Sequence, residues 1–344
     1  MSSETGSLML EEALSAADCV ALQLANDVDR YADLGRHLRA ASFHNAVTVA
    51  RGSSDHASAY LAYLIMARTG RLVTSLPMSL LTLYKSPLKS DDLLALSVSQ
   101  SGQSPDVVEP MRYFRAGGAT TVALVNDIDS PLAEAAEWAL PLRAGQERSV
   151  AATKSFITSL TAGARLVAEW QEDAELKAGL AALPDALRAA GKVDWSAALE
   201  VLAPARNIMV VGRGISYPIA QEAALKFKET SALQAEAFSG AEIKHGPMAL
   251  IEEGYPLLIF ATRGPAQAGL VALAEEMRGR GARVLLAAPQ DVPGRDLDLP
   301  VAAIPDLDPI VAIQAFYVMA AQLSKARGLD PDRPRHLSKV TRTN

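Results

Sequence analysis

The chain has 344 residues, 49% hydrophobic and 21% charged, with a formal net charge of −6 at pH 7. At roughly 100 to 200 residues per domain this length holds about two domains, and the composition excludes both disorder and a fibrous repeat. The acidic balance without a Lys/Arg cluster argues against nucleic acid as a partner, and a single cysteine, Cys19, excludes an internal disulfide framework and points to a reducing, cytoplasmic setting.

In chain order, Leu10, Leu14, Ala17, Ala21 and Leu24 recur at helical spacing and predict a helix over 8–40, with Cys19 a small buried residue inside it. No basic segment followed by an apolar stretch opens the chain, and no run reaches the roughly 18 apolar residues of a span, so neither secretion nor a membrane partner is expected. Residues 46–50 read as a strand, 51–55 as a loop and 56–68 as a helix. The pattern repeats with a strand at 93–98, a polar loop at 99–104, a helix at 105–116 and a strand at 121–125. Such alternation predicts an α/β fold with βαβ units and a parallel sheet. Residues 164–190 form an Ala/Leu/Glu-rich helical stretch. At an offset of 162, Asn45-Ala-Val-Thr-Val-Ala-Arg-Gly52 then aligns with Asn207-Ile-Met-Val-Val-Gly-Arg-Gly214. Gly102 lands on Gly264, and Gly118-Ala119 falls within one residue of Gly281-Ala282. These landmarks predict an internal repeat with its join near 190–200.

The loop Ser99-Gln100-Ser101-Gly102-Gln103-Ser104 follows a strand, where an open parallel sheet places its ligands. Its three hydroxyls and the Gln100 amide can donate to phosphate oxygens, Gly102 lets backbone approach closely, Ser104 suits a helix N-cap and Pro105 the first helical position. The same composition also describes a plain strand-to-helix connection. Ser53 and Ser54, placed equivalently after the first strand, complete a ring of donors on the first reading. Nucleotide signatures are missing, since Gly212-Arg-Gly214 lacks the third glycine of a dinucleotide fingerprint and no P-loop occurs.

Tyr217-Pro218 opens a helix to about residue 233, and Glu222, Lys226 and Glu229 share one face of it. This is either a solvated salt-bridged stripe or a carboxylate tuned beside a lysine. His245 falls on a turn ended by Gly246-Pro247, which fits a surface histidine as well as a functional one. His37, His44 and His56 show no metal-ligand spacing, so no metal and no other cofactor is expected. Lys339 belongs by composition to a frayed tail.

Six motifs in order carry a resemblance: residues 99–104, Val150-Ala-Ala-Thr-Lys-Ser155, Gly212-Arg-Gly-Ile-Ser-Tyr-Pro218, Glu222-Ala-Ala-Leu-Lys-Phe-Lys-Glu229, Glu242-Ile-Lys-His-Gly-Pro247 and Pro334-Arg-His-Leu-Ser-Lys339. Over nearly its whole length the chain resembles the sugar-isomerase (SIS) superfamily, specifically the isomerase half of glucosamine-6-phosphate synthase. The resemblance implies two tandem SIS domains, each a doubly wound, flavodoxin-like parallel sheet flanked by helices. Residues 1–190 would hold the N-terminal helix and first domain, 191–330 the second, and 331–344 a tail closing the active site. It further implies that Ser54, Ser99, Gln100, Ser101 and Ser104 contact phosphate and sugar and that Val150 and Ala152 line the sugar. Glu229 would be the base between C1 and C2, Lys226 a lysine near the sugar, and Lys339 the tail lysine, which either forms an imine with the open-chain ketose or pairs with its oxygens as the tail closes. His245 would open the ring from the neighbouring subunit of a homodimer.

The departures from the synthase are specific. Ser2 stands where it has a cysteine and only about 40 residues precede the first strand, so glutamine hydrolysis is not expected. Gln103 replaces a glutamate, Ala152 a hydroxyl residue and Arg51 a small residue. The expected activity is that of the SIS-type glucosamine-6-phosphate deaminases. A galactosamine-6-phosphate deaminase/isomerase, a fructosamine-6-phosphate deglycase and a non-catalytic sugar-phosphate regulator are the alternatives.

Overall fold

A computed structural model describes residues 6–339. It opens with α1 (Leu8–Leu14), α2 (Ala16–Ala25) and α3 (Val28–Ala40), not the single helix expected. Ser15 ends α1, and Asp27 turns left-handed (φ 56°) between α2 and α3, its carboxylate gripped by Arg143 at 2.8 and 2.9 Å. The apolar period runs on through both breaks, which hides them from a pattern search.

Strands and helices then alternate as β1 (Asn45–Val49), α4 (Ser53–Thr69), β2 (Leu72–Ser75), α5 (Ser79–Thr82), β3 (Leu93–Ser99), α6 (Pro105–Ala116), β4 (Thr120–Val125), α7 (Pro131–Ala135) and β5 (Trp138–Pro141). After α8 (Lys154–Gln171), α9 (Ala174–Ala190) and α10 (Ser196–Leu202) come β6 (Asn207–Gly212), α11 (Tyr217–Ser231), β7 (Gln234–Ser239), β8 (Pro256–Phe260), α12 (Gln267–Gly279), β9 (Arg283–Ala288), β10 (Leu297–Asp298) and α13 (Asp308–Ala326).

Both sheets are parallel and five-stranded. Their orders, β2-β1-β3-β4-β5 and β7-β6-β8-β9-β10, are the same. This is the doubly wound order whose direction reverses between its first and third strands. The sequence pattern located the inner strands but not the edge strands β2, β5, β7 and β10; β2, β5 and β10 are short, and β2 is largely exposed and offers no buried period.

Each sheet is covered on both faces. In the first, Val47, Val49, Ala95, Ala123 and Val125 pack beneath α6 and α7, while Ala46, Leu94, Leu96, Val98 and Val122 are buried on the opposite face. In the second, Met209, Val211, Leu257, Ile259 and Leu286 pack against Leu270, Leu273 and Met277 of α12. On its other face Phe260 meets Phe316 of α13, whose ring also stands edge-on to Phe227 of α11 at 5.0 Å.

By contacts the chain forms two compact units, and their limits differ from the expected breaks at 190 and 330. One holds the first sheet, Asp18–Gln146 with Ser155–Ala181 and the chain from Ser338; the other holds the second sheet, Ala182–Leu337 with Glu147–Lys154 and the chain up to Ala17. Backbone hydrogen bonds to carboxylates explain the second grouping. The Leu8 and Met9 amides donate to Asp332 at 2.9 and 2.8 Å, and the Arg148 and Ser149 amides donate to the buried Glu12.

Among the described residues, one helical stretch, Pro305–Ala326, is long and apolar enough to cross a membrane by length and composition, which the search for an unbroken apolar run did not register. Of its 18-residue apolar window 94% is buried in the structure, so it is a core helix.

Asp332 satisfies two of the unpaired amides at the start of α1. Asp332→Ala should lower stability by about 0.5–2 kcal/mol, seen as an earlier thermal transition and faster amide exchange at Leu8 and Met9.

Candidate active site

In the first-sheet unit, polar side chains gather beyond the carboxyl ends of β1 and β3, where strand order reverses. Ser53 and Ser54 occupy the first turn of α4, and residues 99–104 link β3 to α6. All the serines here and Gln100 are half-buried. Ser99 Oγ accepts the Gly102 amide at 2.9 Å and Ser101 Oγ the Gln103 amide at 3.3 Å. Each hydroxyl shapes the loop and keeps its own O–H to donate. Ser104 holds the N-cap position of α6, as expected, without a side-chain bond to the first helical amides. Gly102 is obligatory, because it has φ +64° and an added Cβ would stand 2.1 Å from Ser130 Oγ. Arg51 Nε donates to Asp106 in the first turn of α6 at 2.9 Å, joining the connections that follow β1 and β3.

In the second-sheet unit, the charged face of α11 turns inward. Glu222 is 0% and Lys226 1% exposed, so the solvated-stripe reading does not hold. Lys226 Nζ hydrogen-bonds Glu229 and lies 3.5 Å from Glu222 Oε1, which also accepts the Tyr317 phenol at 3.0 Å. Burial pulls against the Lys226 ammonium, but Glu222, Glu229 and Glu147 outweigh it and hold its pKa above the ordinary lysine value. Glu147 is buried and accepts the Thr153 amide at 2.9 Å. Glu229 is the open end of the cluster, with its side chain 20% exposed. It also borders a cavity of about 330 Å³ with Lys228, Asp330, Arg333, Arg335 and His336.

The other expected residues are more scattered. Val150 and Ala152 are half-buried in the Glu147–Lys154 segment, and the Val150 amide donates to the Asp332 carbonyl at 3.3 Å. His245 is exposed at the end of the turn Glu242–His245, with no partner among the described residues. Lys339 is half-buried in the tail grouped with the first-sheet unit; residues 340–344 of the expected tail lie outside the described residues. Cys19 is half-buried, its thiol against the Ala144 carbonyl. A larger cavity of about 540 Å³, lined by Leu81, Pro87, Pro105 and Tyr113, contains none of the expected site residues.

Sequence reading passed over Tyr317 and Glu147. The signal for Tyr317 was there: a phenol in the middle of a helix that is otherwise nearly all apolar must find a hydrogen-bond partner.

The SIS domain family model matches residues 40–168 and 201–288. The chain belongs to the SIS domain family. It is 33% identical over 310 residues to the glutamine–fructose-6-phosphate aminotransferase (isomerizing) of Zymomonas mobilis, covering 85% of this chain and 51% of that protein. The namesake from Aeropyrum pernix is 36% identical over 314 residues, covering 85% and 50%. The SIS chain thus spans about half the length of the curated relatives it matches. A crystal structure described as a candidate phosphosugar isomerase, from Silicibacter pomeroyi, superposes with a TM-score of 0.90 at 39% identity, covering 95% of this chain and all of that one. A glucosamine-6-phosphate deaminase from Thermotoga maritima shares the fold, with a TM-score of 0.78 at 22% identity over 98% of this chain and all of that one.

Gly102→Ala should cost about 1–3 kcal/mol and weaken binding of a sugar phosphate, read by calorimetry against the thermal transition. Lys226→Met, which takes the ammonium from buried Glu222 and Glu229, should cost about 3–5 kcal/mol at pH 7. Because the folded pKa of Lys226 is raised, its contribution is complete below the ordinary value of 10.5 and is lost as pH rises through the folded value. The gap between native chain and variant in denaturant unfolding should therefore narrow above about pH 10.5.

Proposed function

We propose that this SIS protein is an aldose–ketose isomerase/deaminase of amino-sugar phosphates, converting glucosamine 6-phosphate and water to fructose 6-phosphate and ammonium. The observation that carries the reading is the buried Glu222–Lys226–Glu229 face of α11, with Glu229 alone opening outward. A pure sugar-phosphate receptor needs the serine loop but has no use for a carboxylate–lysine cluster at the cost of burying it. The names of the relatives speak of isomerisation and of phosphosugars and so support the isomerase class.

In the proposed reaction Ser54, Ser99, Ser101 and Ser104, with Ser53 and Gln100, hold the phosphate, and Val150 and Ala152 flank the sugar. His245 moves a proton from the C1 hydroxyl to the ring oxygen, and the pyranose opens to the C1 aldehyde. The C2 proton is then acidic; Glu229 takes it while O1 gains a proton, giving an enolamine, and returns it to C1 as the nitrogen gives one up. The resulting 2-imino sugar adds water and releases ammonium, leaving fructose 6-phosphate. Lys226 keeps Glu229 in place, and Lys339 pairs with the open-chain oxygens as the tail closes. One sugar and water become two products, so dilute cytoplasmic ammonia favours release. The exposure of His245 suits an imidazole lent to the other subunit of a homodimer.

Glu229→Gln should lower kcat by ~10²- to 10⁴-fold with KM little changed. Ammonium release should be measured from glucosamine 6-phosphate, galactosamine 6-phosphate and a fructosamine 6-phosphate. Release from either of the last two alone would reassign the substrate, and binding without release from any would leave a receptor.

A further inference from the structure

We propose that the cavity beside Glu229 in the second-sheet unit is a binding site for a small multivalent oxyanion, separate from the serine loop, and that filling it slows turnover. The binding needs no assumption about the reaction; the slowing rests on the reading of Glu229 as the base.

Positive charge is left over at this cavity. Lys228, Arg333 and Arg335 border it, and none of their side chains makes a hydrogen bond or an ion pair among the described residues. Other exposed arginines, Arg112, Arg188 and Arg280, each meet a carboxylate, as expected in a chain with more acidic than basic residues. The two carboxylates at the cavity are engaged elsewhere: Glu229 takes a hydrogen bond from Lys226, and Asp330 accepts the Asp332 amide at 2.9 Å. A carboxylate or phosphate from outside meets donors that have no internal acceptor, and the planar fork of an arginine grips either group with two parallel bonds.

The backbone that carries these cations is held. Buried Pro331 and Pro334 lie on either side of Arg333, Asp332 grips the Leu8 and Met9 amides and accepts the Val150 amide on its carbonyl, and Lys228 extends from α11. Fixing the positions of the donors in advance lowers the ordering cost of binding. A volume of about 330 Å³ stands at the low end of small-molecule pockets, and Ala232 and Leu329 give it little apolar wall, so the ligand is compact and charged. Because Glu229 borders the same cavity, an anion seated there hinders the approach of a sugar phosphate to the base, by volume and by repulsion between like charges.

The experiment is calorimetric titration of the full chain with citrate and with inorganic phosphate at about 0.15 M ionic strength, with acetate as the monovalent control. Citrate or phosphate should bind where acetate does not. Lys228→Gln with Arg333→Gln changes two exposed positions, where substitution scarcely moves the thermal transition, and should weaken that binding about 10- to 100-fold. Whichever anion responds is the class the cavity takes. Ser101→Ala, in the serine loop, should leave its affinity within about twofold. In steady-state kinetics on whichever amino-sugar phosphate releases ammonium, the responding anion should slow the native chain but not the double variant, whose kcat and KM without added anion stay native. Equal affinity in native chain and double variant, no binding of either anion, or binding lost in Ser101→Ala overturns the site. A raised KM in the double variant means that the cavity holds the substrate's own phosphate and overturns its separateness, and binding at the cavity without slowing overturns the regulatory role. If Glu229→Gln turns over normally, the base reading falls and the slowing with it, while the titrations still decide the site.

Discussion

The buried charged face of α11 depends on a lysine held where water does not reach it. Lys226 is buried on α11, and an ammonium in that position survives only because carboxylates surround it. The same arrangement settles the state of its neighbours. A carboxylate that shares an ammonium is oriented, and one that also reaches the surface, as Glu229 does, can exchange a proton with something outside. Burial, charge and direction are thus coupled in one face of one helix.

That face is buried because α13 is nearly all apolar and packs across α11, with Phe316 wedged between Phe227 and Phe260 of the sheet. Polar bonds lock the far end: Ser324 donates to the Thr230 carbonyl at 2.6 Å, and Arg327 donates to the Ser231 carbonyl at 2.7 Å and to three carbonyls at the end of α10. In the other unit the constraint is backbone geometry. Gly102 fits where no side chain fits, and the serines around it spend their lone pairs on loop amides. The loop itself is an uncharged run of hydroxyl and amide donors, with the Arg51–Asp106 pair beside it.

The residues that depart from the synthase pattern fall in the same neighbourhoods. Arg51 is not idle, since it pairs with Asp106 beside the serine loop, while Gln103 is exposed and Ala152 half-buried.

Much of this was legible in the chain because the signals are local. Alternation of apolar strands and helices, the glycines at a fixed offset, and hydroxyls after a strand each span a few residues, and they determined two parallel sheets, the strands at their centres and the loops at their carboxyl ends. Spacing also placed Glu222, Lys226 and Glu229 on one side of α11. It did not say whether that side met water, because burial is decided by a partner element, and here the phenol that completes the cluster lies 95 residues away. The breaks at Ser15 and Asp27, the edge strands and the grouping of α1 with the second sheet escaped for the same reason. Each is fixed by a contact distant in sequence, such as Asp27 with Arg143 or Leu8 with Asp332, and only the folded chain brings those atoms together.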